Sequence, residues 1–355
     1  MTDASRPNPV RVLVFGMGSI GIVYSMILSR SGVDLSCVCR SNYTAAKTNG
    51  FIVYSTIFGT ETFRPAAIYS SVEEIIEKRE KNETAPYDFI LVTTKAFPRN
   101  ISTEDASIAA SIAPLVFSSC TTVVLIQNGI GIEQPYRDHF PQNPIISCVA
   151  YLPTTQTAPG VVHHTEEERL HLGAFPVSNE KEGTDGIPPF HHEAVATLAA
   201  RIRAGGATAE IYRDVQVARW RKLIGNASWN PICALSRCRD LEFLQASTLA
   251  SGMAQNVLEE VLSVAVAAGY GAEIGPEDVK MQLSRSAARS WPGVEPSMLA
   301  DARSGKVMEA EAVVGEVVRM GRRYKVAIPG LNACTPSSPV FVGVEVGKTS
   351  QQGAT

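Results

Sequence analysis

Three polar residues recur at intervals of four within residues 219–235: Lys222, Asn226 and Asn230. An α-helix turns by about 100° per residue, so the three side chains would lie within roughly 80° of arc on one face. Their neighbours are mostly apolar and include Trp220 and Trp229. Because a buried ammonium or amide is costly without a polar partner, this stripe predicts either a contact elsewhere in the protein or a bound substrate.

The stripe combines groups that suit a reaction at a carbonyl. A lysine ammonium beside a carbonyl oxygen stabilises negative charge there and can donate a proton. Partial burial lowers the pKa of a lysine, which favours donation near neutral pH. The two amides can orient the lysine and bind substrate oxygens, and Pro231 is expected to kink the helix because it lacks a backbone donor. A structural polar network between helices is the alternative interpretation.

A glycine-rich segment precedes the stripe by about two hundred residues. In "VFGMGSIG", the glycines Gly16, Gly18 and Gly21 follow the GxGxxG spacing between an apolar strand and a helical segment. Glycines let the backbone approach a pyrophosphate, and the helix N-terminus offers free N–H groups to it. The sequence therefore predicts a dinucleotide-binding loop made of Gly16, Met17, Gly18, Ser19, Ile20 and Gly21. An ordinary structural turn is the alternative.

The residue that ends the second strand bears on the choice of nucleotide. Arg40 stands roughly 20 residues after the glycines, where an NAD site would place a carboxylate. A guanidinium suits a 2′-phosphate, so NADPH or NADP is predicted, with Ser41 and Asn42 able to add hydrogen bonds. Lys95 and Asn128 end two further strands and are predicted to contact the cofactor at the same crevice. Alternatively, Arg40 is only a surface residue at a strand end.

Composition limits the classes of partner. The chain has 355 residues, 45% hydrophobic and 19% charged, which is typical of a globular protein of two domains. A net charge of -3 gives no sign of nucleic acid or an anionic membrane as a partner. No apolar run reaches the roughly 18 residues of a membrane span, and the polar N-terminus is unlike a signal peptide. Seven scattered cysteines predict reduced thiols in the cytoplasm, and the histidine pairs at 163–164 and 191–192 predict no metal site.

The order of apolar segments predicts two kinds of architecture. Strand and helix patterns alternate up to about residue 150, which indicates a parallel α/β sheet. Residues 151–175 predict a hairpin or an extension of the sheet, and residues 179–189 a solvent loop. Helical periodicity dominates after residue 213, over 214–237, 246–269, 276–290 and 306–325. The predicted organisation is a flexible N-terminus (1–10), a Rossmann-like NADP-binding domain (11–212), a helical substrate and catalytic domain (213–330) and a disordered tail (331–355).

Several motifs occur together in a recognisable order. They are "GMGSIG" at 16–21, Arg40, "TTKAF" around Lys95, "QNG" at 127–129, "KLIGNASWNP" at 222–231 and "EPSMLADARSGKVMEAE" at 295–311. In this order the sequence resembles the ketopantoate reductases (2-dehydropantoate 2-reductases) over about residues 11 to 330. The resemblance implies an N-terminal Rossmann domain, an all-helical C-terminal domain, an active site in the interdomain cleft and a small 2-oxo acid as substrate.

The resemblance also implies roles for single residues. Lys222 corresponds to the catalytic general acid, and the substrate ligands are Asn226, Asn230 and Ser297. Glu309 corresponds to a glutamate that contacts cofactor and substrate. The cofactor positions are the six residues Gly16 to Gly21 together with Arg40, Lys95, Asn128 and Ala150, the last through its backbone near the nicotinamide.

Some of these roles have alternatives, and the sequence departs from the family at two places. Ser297 could be only a helix N-cap after Pro296. Glu311 is interpreted as a solvated ion-pair residue near Arg322. Gly225 replaces a bulkier residue and is expected to enlarge the pocket. The helix that usually follows the family's "IP" turn is expected to be missing after "IPGLNACTPSSP".

The leading functional prediction is NADPH-dependent reduction of 2-dehydropantoate to pantoate. A second reading keeps the same machinery but gives it another 2-oxo acid or a biosynthetic ketone. A third is a catalytically silent NADP-binding regulatory protein. The expected partners are the small-molecule substrate and, as an open option, a second copy in a homodimer.

Overall fold

The structure is a computed structural model that describes residues 9–81, 84–96, 107–176 and 188–335. Two compact units divide the chain between Val215 and Gln216, close to the predicted boundary at residue 213. Two short pieces from earlier in the chain, Ala96 and the loop Asn128–Ile132, group with the second unit. Both pieces follow predicted strand ends, and of the two cofactor residues expected there Asn128 groups with the helical unit and Lys95 with the first unit.

Strands and helices alternate in the first unit. The strands are β1 (Arg11–Phe15), β2 (Asp34–Val38), β3 (Phe51–Ser55), β4 (Gly59–Phe63), β5 (Ala67–Tyr69), β6 (Phe89–Val92), β7 (Thr122–Leu125), β8 (Ile145–Tyr151), β9 (Thr154–Ala158), β10 (Val161–His164), β11 (Arg169–Phe175) and β12 (Ala209–Ile211). The helices are α1 (Ser19–Arg30), α2 (Tyr43–Asn49), α3 (Val72–Glu80), α4 (Ile108–Ile112), α5 (Gln134–His139) and α6 (Pro189–Ala204).

The main sheet has eight strands in the order β12-β11-β8-β7-β6-β1-β2-β5. The six strands from β8 to β5 run parallel, in the arrangement of a doubly wound dinucleotide-binding fold. Their sequences are continuous apolar runs such as "FILV" and "TVVL", as expected of strands covered on both faces. The predicted parallel α/β sheet is thereby confirmed.

Residues 151–175 form both of the predicted arrangements. Strand β11 extends the main sheet antiparallel to β8. The β9–β10 hairpin instead enters a second sheet, in the order β4-β3-β10-β9. Phe51 of β3 and Phe63 of β4 stack at 5.5 Å between ring centroids beneath this sheet. The predicted solvent loop lies outside the described residues up to residue 187.

The second unit is helical, as predicted. Its helices are α7 (Val215–Ser236), α8 (Asp240–Ala246), α9 (Ala250–Ala265), α10 (Pro276–Ala287), α11 (Ser297–Ser304), α12 (Glu316–Tyr324) and α13 (Pro329–Ala333), with π-helical turns at Val266–Tyr270 and Glu311–Gly315. Trp220 is the largest fully buried side chain and packs with Leu258 and Val314 in the core of this unit. No helix in the described ranges has the length and hydropathy to cross a bilayer.

Helix α7 continues through Pro231 as one element. Proline removes the N–H that would bond to the carbonyl of Ala227, four residues earlier. Side chains supply additional bonds to the same stretch of backbone: Asn230 Nδ2 donates to Asn226 O at 3.0 Å and Ser228 Oγ to Ile224 O at 2.8 Å.

The predictions for the chain ends need correction where residues are described. Residues 331–333 belong to α13, so the predicted tail and the expected loss of a helix after the "IP" turn are wrong there. Glu260 holds the start of α13 through bonds from Gly330 N at 2.9 Å and Leu331 N at 2.8 Å, and Leu331 is fully buried. Val10 packs against the core and accepts from Asp34 N, so the predicted flexible N-terminus is wrong at this residue. Residues 1–8 and 336–355 lie outside the described ranges.

Candidate active site

The glycine loop joins β1 to α1 and requires glycine at two positions. Gly16 has φ +106°, and a Cβ there would lie 2.6 Å from Thr94 Cγ2. A Cβ on Gly21 would lie 2.2 Å from Gly16 O and 2.6 Å from Thr93 Oγ1. Any side chain at these positions would therefore push the loop away from β6, because both contacts are shorter than van der Waals distance.

The remaining loop residues differ in exposure. Gly18 is exposed, and nothing lies within 4 Å of where its Cβ would be. It caps α1 without a side-chain bond, and Ser19 and Ile20 begin the helix. The first-turn N–H groups and the positive end of the helix dipole are thus available to an anion. Met17 is buried, and its sulfur accepts from Ser25 Oγ at 3.4 Å. This cradle fits a pyrophosphate.

The residues after β2 divide between surface and interior. Arg40 and Ser41 are exposed in the turn that leads into α2, where Tyr43 N donates to Arg40 O at 3.1 Å. Asn42 is buried, and its amide bonds to Met17, Gln156 and Gly160. The expectation that Asn42 adds hydrogen bonds to a 2′-phosphate is therefore wrong, since its amide is already engaged inside the protein.

Two further predicted cofactor residues lie at strand ends. Lys95 is half-buried in the loop after β6. Ala150 is half-buried at the next-to-last position of β8 and is the register partner of Leu170 in β11. Both positions agree with the rule that ligands of open α/β sheets bind beyond the carboxyl ends of the strands.

The lysine of the polar stripe has a protein partner. Lys222 Nζ donates to Asn128 Oδ1 at 2.9 Å. The backbone after Asn128 is held in place: Arg219 Nη1 donates to Gly129 O at 2.9 Å, and Ile130 N donates to Ala312 O at 3.2 Å. Gly129 has φ +104°, and a Cβ there would lie 2.4 Å from Ala312 O. Only glycine fits this contact, so the loop carries Asn128 at a fixed position against α7.

Asn230 is buried and fastens α7 to the start of α11. Its Oδ1 accepts from Ser297 Oγ at 3.2 Å and from Met298 N at 3.1 Å. Its Nδ2 donates to Asn226 O, one turn earlier in α7. Pro296 occupies the N-cap of α11, so the alternative reading of Ser297 as the N-cap is wrong. The amide oxygen of Asn230 performs the capping role from another helix, while Asn226 is half-buried and Ser297 is exposed.

The two glutamates after α11 have different partners. Glu309 is half-buried, and its Oε1 accepts from Ala96 N, directly after Lys95, at 2.8 Å. Glu311 Oε2 accepts from Arg319 Nη1 at 2.8 Å. Glu311 is thus an ion-pair residue, but its partner is Arg319 and not Arg322. Glu309 contacts the segment that carries a predicted cofactor residue, and Glu311 does not.

The space beside Gly225 is filled. A Cβ at this position would lie 2.6 Å from Oε1 of Gln282 on α10. The expected enlargement of the pocket is therefore wrong at this point, because the missing side chain is replaced by the amide of Gln282.

The histidines make contacts of other kinds. His164 Nδ1 lies 2.9 Å from Ser55 Oγ and its Nε2 lies 2.9 Å from Glu167 O. Burial, with Arg137 and His192 nearby, lowers the pKa of His191 to about 4. Across the described ranges, His, Cys, Asp and Glu residues form no group of three that could hold a metal ion. All seven cysteines are free thiols.

Sequence reasoning missed two positioning groups. Arg219 is 3% exposed, and its guanidinium donates to the Gly129 carbonyl. The second group is the backbone N–H of Met298, which donates to Asn230. No residue type in the sequence indicates a contact of this kind, because it does not involve the side chain of Met298. The unusual feature that could have indicated Arg219 is a charged residue beside Trp220 in a largely apolar helix.

The glycine cradle and the parallel sheet define the first unit as a dinucleotide-binding domain. The family model "Ketopantoate reductase PanE/ApbA" matches residues 12–177, and the model "Ketopantoate reductase PanE/ApbA C terminal" matches residues 214–335. The chain therefore belongs to the ketopantoate reductase family, and it is an oxidoreductase of the kind that acts on CH–OH groups. This family is NAD(P)-dependent.

Individual relatives cover nearly the whole chain. The crystal structure of 2-dehydropantoate 2-reductase from Methylococcus capsulatus is 30% identical, with a TM-score of 0.76 over 97% of this chain and 99% of that one. The uncharacterized protein YDL144C of Saccharomyces cerevisiae is 27% identical over 91% of this chain and 90% of its own length. D-mandelate dehydrogenase with NADH and anilino(oxo)acetate shares the fold at 19% identity, with a TM-score of 0.76 over 95% and 99% of the two chains.

Proposed function

We propose that this protein is an NADPH-dependent 2-dehydropantoate 2-reductase with Lys222 as the general acid. The observation that carries the proposal is the bond from Lys222 Nζ to Asn128 Oδ1. It joins the amine proposed to be reactive, on α7, to Asn128, for which a cofactor contact is proposed. A purely structural network between helices would not need this partner.

The cofactor would be held by residues already described. The glycine cradle would hold the pyrophosphate, and the exposed Arg40 would bind a 2′-phosphate, which supports NADPH over NADH. Lys95, Asn128, Glu309 and the backbone of Ala150 complete the proposed set. When bound, the reduced nicotinamide supplies the hydride, and the protein supplies orientation and charge.

Lys222 has to serve the carbonyl oxygen of the substrate. An ammonium has three N–H bonds, and Asn128 accepts one of them. In the proposed reaction the ammonium donates to the carbonyl oxygen of the substrate, where it stabilises the developing alkoxide and supplies the proton that completes the hydroxyl group. Fixing Nζ through Asn128 lowers the cost of orienting a flexible side chain at that moment.

The substrate would be held by Asn226 and Ser297, with Asn230 behind them. Ser297 is exposed and offers a hydroxyl for a carboxylate or hydroxyl group of the substrate. Asn230 is 5% exposed and bonds to Ser297 Oγ and to the backbone of Asn226. We therefore revise its predicted role from substrate ligand to positioning residue, which acts through its two neighbours.

The test measures turnover with a panel of 2-oxo acids and ketones. The loss of NADPH absorbance gives the rate for each compound. Reduction of 2-dehydropantoate with the highest kcat/KM is the expected result. In Lys222→Ala, turnover should be lost while NADPH binding is retained. A Lys222→Ala variant as active as the wild type would rule out the mechanism.

A second candidate is the same reaction on another 2-oxo acid or ketone. The polar amide of Gln282 fills the space beside Gly225, next to Asn226, and could favour a different substrate. The same panel decides, because another compound would then give the higher kcat/KM. The third candidate, a silent NADP-binding regulatory protein, predicts NADPH binding without turnover of any compound.

Location and assembly complete the proposal. Seven free thiols support a reducing compartment, which we take to be the cytoplasm. A homodimer stays a prediction, and light scattering of the purified protein distinguishes one copy from two.

A further inference from the structure

Asn42 occupies a buried junction at the nucleotide end of the first unit. It is 3% exposed and lies two residues after Arg40. Its Nδ2 donates to Met17 O in the glycine loop. Its Oδ1 accepts from Gln156 Nε2 at 2.7 Å and from Gly160 N at 3.2 Å, both in the β9–β10 hairpin. One amide thus joins the glycine loop to the second sheet.

The bond to Met17 fixes the orientation of a peptide in the loop. In a trans peptide the C=O of one residue and the N–H of the next point in opposite directions. With Met17 C=O directed to the buried Asn42, the N–H of Gly18 is directed the other way. Gly18 is exposed, and nothing lies within 4 Å of where its Cβ would be.

The side chain of Asn42 is itself fixed by hydrogen bonds. The backbone carbonyl of Asn42 accepts from Ala46 N at 2.8 Å at the start of α2, and two further bonds fix the amide oxygen of Asn42. A glycine-flanked peptide has little conformational restraint of its own, since Gly16 and Gly18 lack Cβ atoms. The orientation of this peptide therefore depends on its neighbours, and Asn42 is the neighbour that bonds to its carbonyl oxygen.

We propose that Asn42 is a positioning residue for dinucleotide binding, which holds the Met17–Gly18 peptide with its N–H towards the cofactor pyrophosphate. The inference rests on the proposed binding of NADPH at the glycine loop. The pyrophosphate is common to NADPH and NADH. Asn42 therefore acts on both nucleotides, whereas a residue that contacts the 2′-phosphate acts on NADPH alone.

The test measures the Kd of NADPH and of NADH by calorimetry for the wild type, Asn42→Ala and Arg40→Ala. Asn42→Ala is expected to weaken both nucleotides by about tenfold, the factor for one lost hydrogen bond of a preorganised site. The ratio of the two Kd values should stay at its wild-type value. In turnover, the KM for NADPH should rise while kcat at saturation is unchanged. Arg40→Ala should change the ratio.

Controls separate this role from a general loss of structure. Gln156→Ala removes one of the two hairpin bonds to Asn42 but leaves the bond from Gly160 N and the bond to Met17. Its Kd values should stay within about twofold of wild type, below the effect of one hydrogen bond. Asn42→Leu keeps the side-chain volume if Asn42→Ala does not fold. Unchanged Kd values in the Asn42 variants, a loss confined to NADPH, or an equal loss in Gln156→Ala would each overturn the inference. A wild-type protein that binds neither nucleotide would overturn the proposed function instead.

Discussion

The glycine loop and the α7 stripe are both proposed ligand sites, but they are built in different ways. In the loop, function depends on what is missing: Gly16 and Gly21 have no space for a Cβ. In the stripe, function depends on side chains held by other side chains, such as Lys222 by Asn128. A site made of backbone leaves a pattern of glycines in the sequence. A site made of side-chain contacts leaves only residue types, without their partners.

The largest expected effect tests the stripe through its reactive group. Lys222→Ala should lower kcat by about a thousandfold, within the usual range for removing a general acid and the charge it carries. The Kd of NADPH, measured by calorimetry, should change little, since the proposed cradle is untouched. Lys280→Ala, on the exposed surface of α10, is the matched control and should keep wild-type kcat. Equal kcat in both variants would remove Lys222 from the reaction.

The next effect tests the backbone site. Gly21→Ala places a Cβ 2.2 Å from Gly16 O, and overpacking of this kind costs about 1–3 kcal/mol. We expect NADPH to bind about a hundredfold more weakly, as displacement of the loop adds to that strain. Gly252→Ala in α9 has nothing within 4 Å and is the control. A wild-type Kd in Gly21→Ala would show that the loop can accommodate a Cβ, and it would contradict the dependence of binding on glycine at this position.

Arg40→Ala removes a proposed side-chain contact from a site that is otherwise made of backbone groups. Loss of a charge-assisted bond should weaken NADPH by about ten- to a hundredfold, with little change for NADH. The two Kd values measured side by side check this. Equal losses for both nucleotides would contradict the assignment of Arg40 to the 2′-phosphate.

The smallest expected effect separates Asn230 from Ser297. Asn230→Ala removes the cap of α11 and should lower the free energy of unfolding by about 1–2 kcal/mol, the cost of losing a helix cap. Ser297→Ala should change stability much less and raise the KM for the 2-oxo acid. Urea unfolding and steady-state kinetics on both variants check the pair. If Asn230→Ala changes only the KM for the 2-oxo acid, Asn230 is a substrate ligand and not a positioning residue.

Sequence patterns predicted the strands and helices that depend on residues close together in the chain. Apolar runs such as "VLVF" and "FILV" identify β1 and β6, and helical periodicity identifies α7. The second sheet was not predicted, because the sequence of β4, "GTETF", is largely polar. Its pairing with β3 and β10 depends on contacts between distant parts of the chain.

The site predictions were wrong where geometry decides. Asn42 was expected to be a ligand, yet its amide bonds inside the protein, and residue type alone cannot show which group an amide meets. Glu311 was assigned to Arg322 by α-helical spacing. A π-helical turn at Glu311–Gly315 shifts the phase of the following residues, so that Arg319 is the partner.

The shared oxygen of Asn230 has a consequence for how the second unit tolerates change. Ser297 and Met298 both bond to this one atom, so the start of α11 is fixed directly to α7. Because Lys222 lies on the same helix as Asn230, one amide oxygen sets the distance between the serine and the lysine. A substitution that moves this oxygen would therefore displace two functional groups relative to each other.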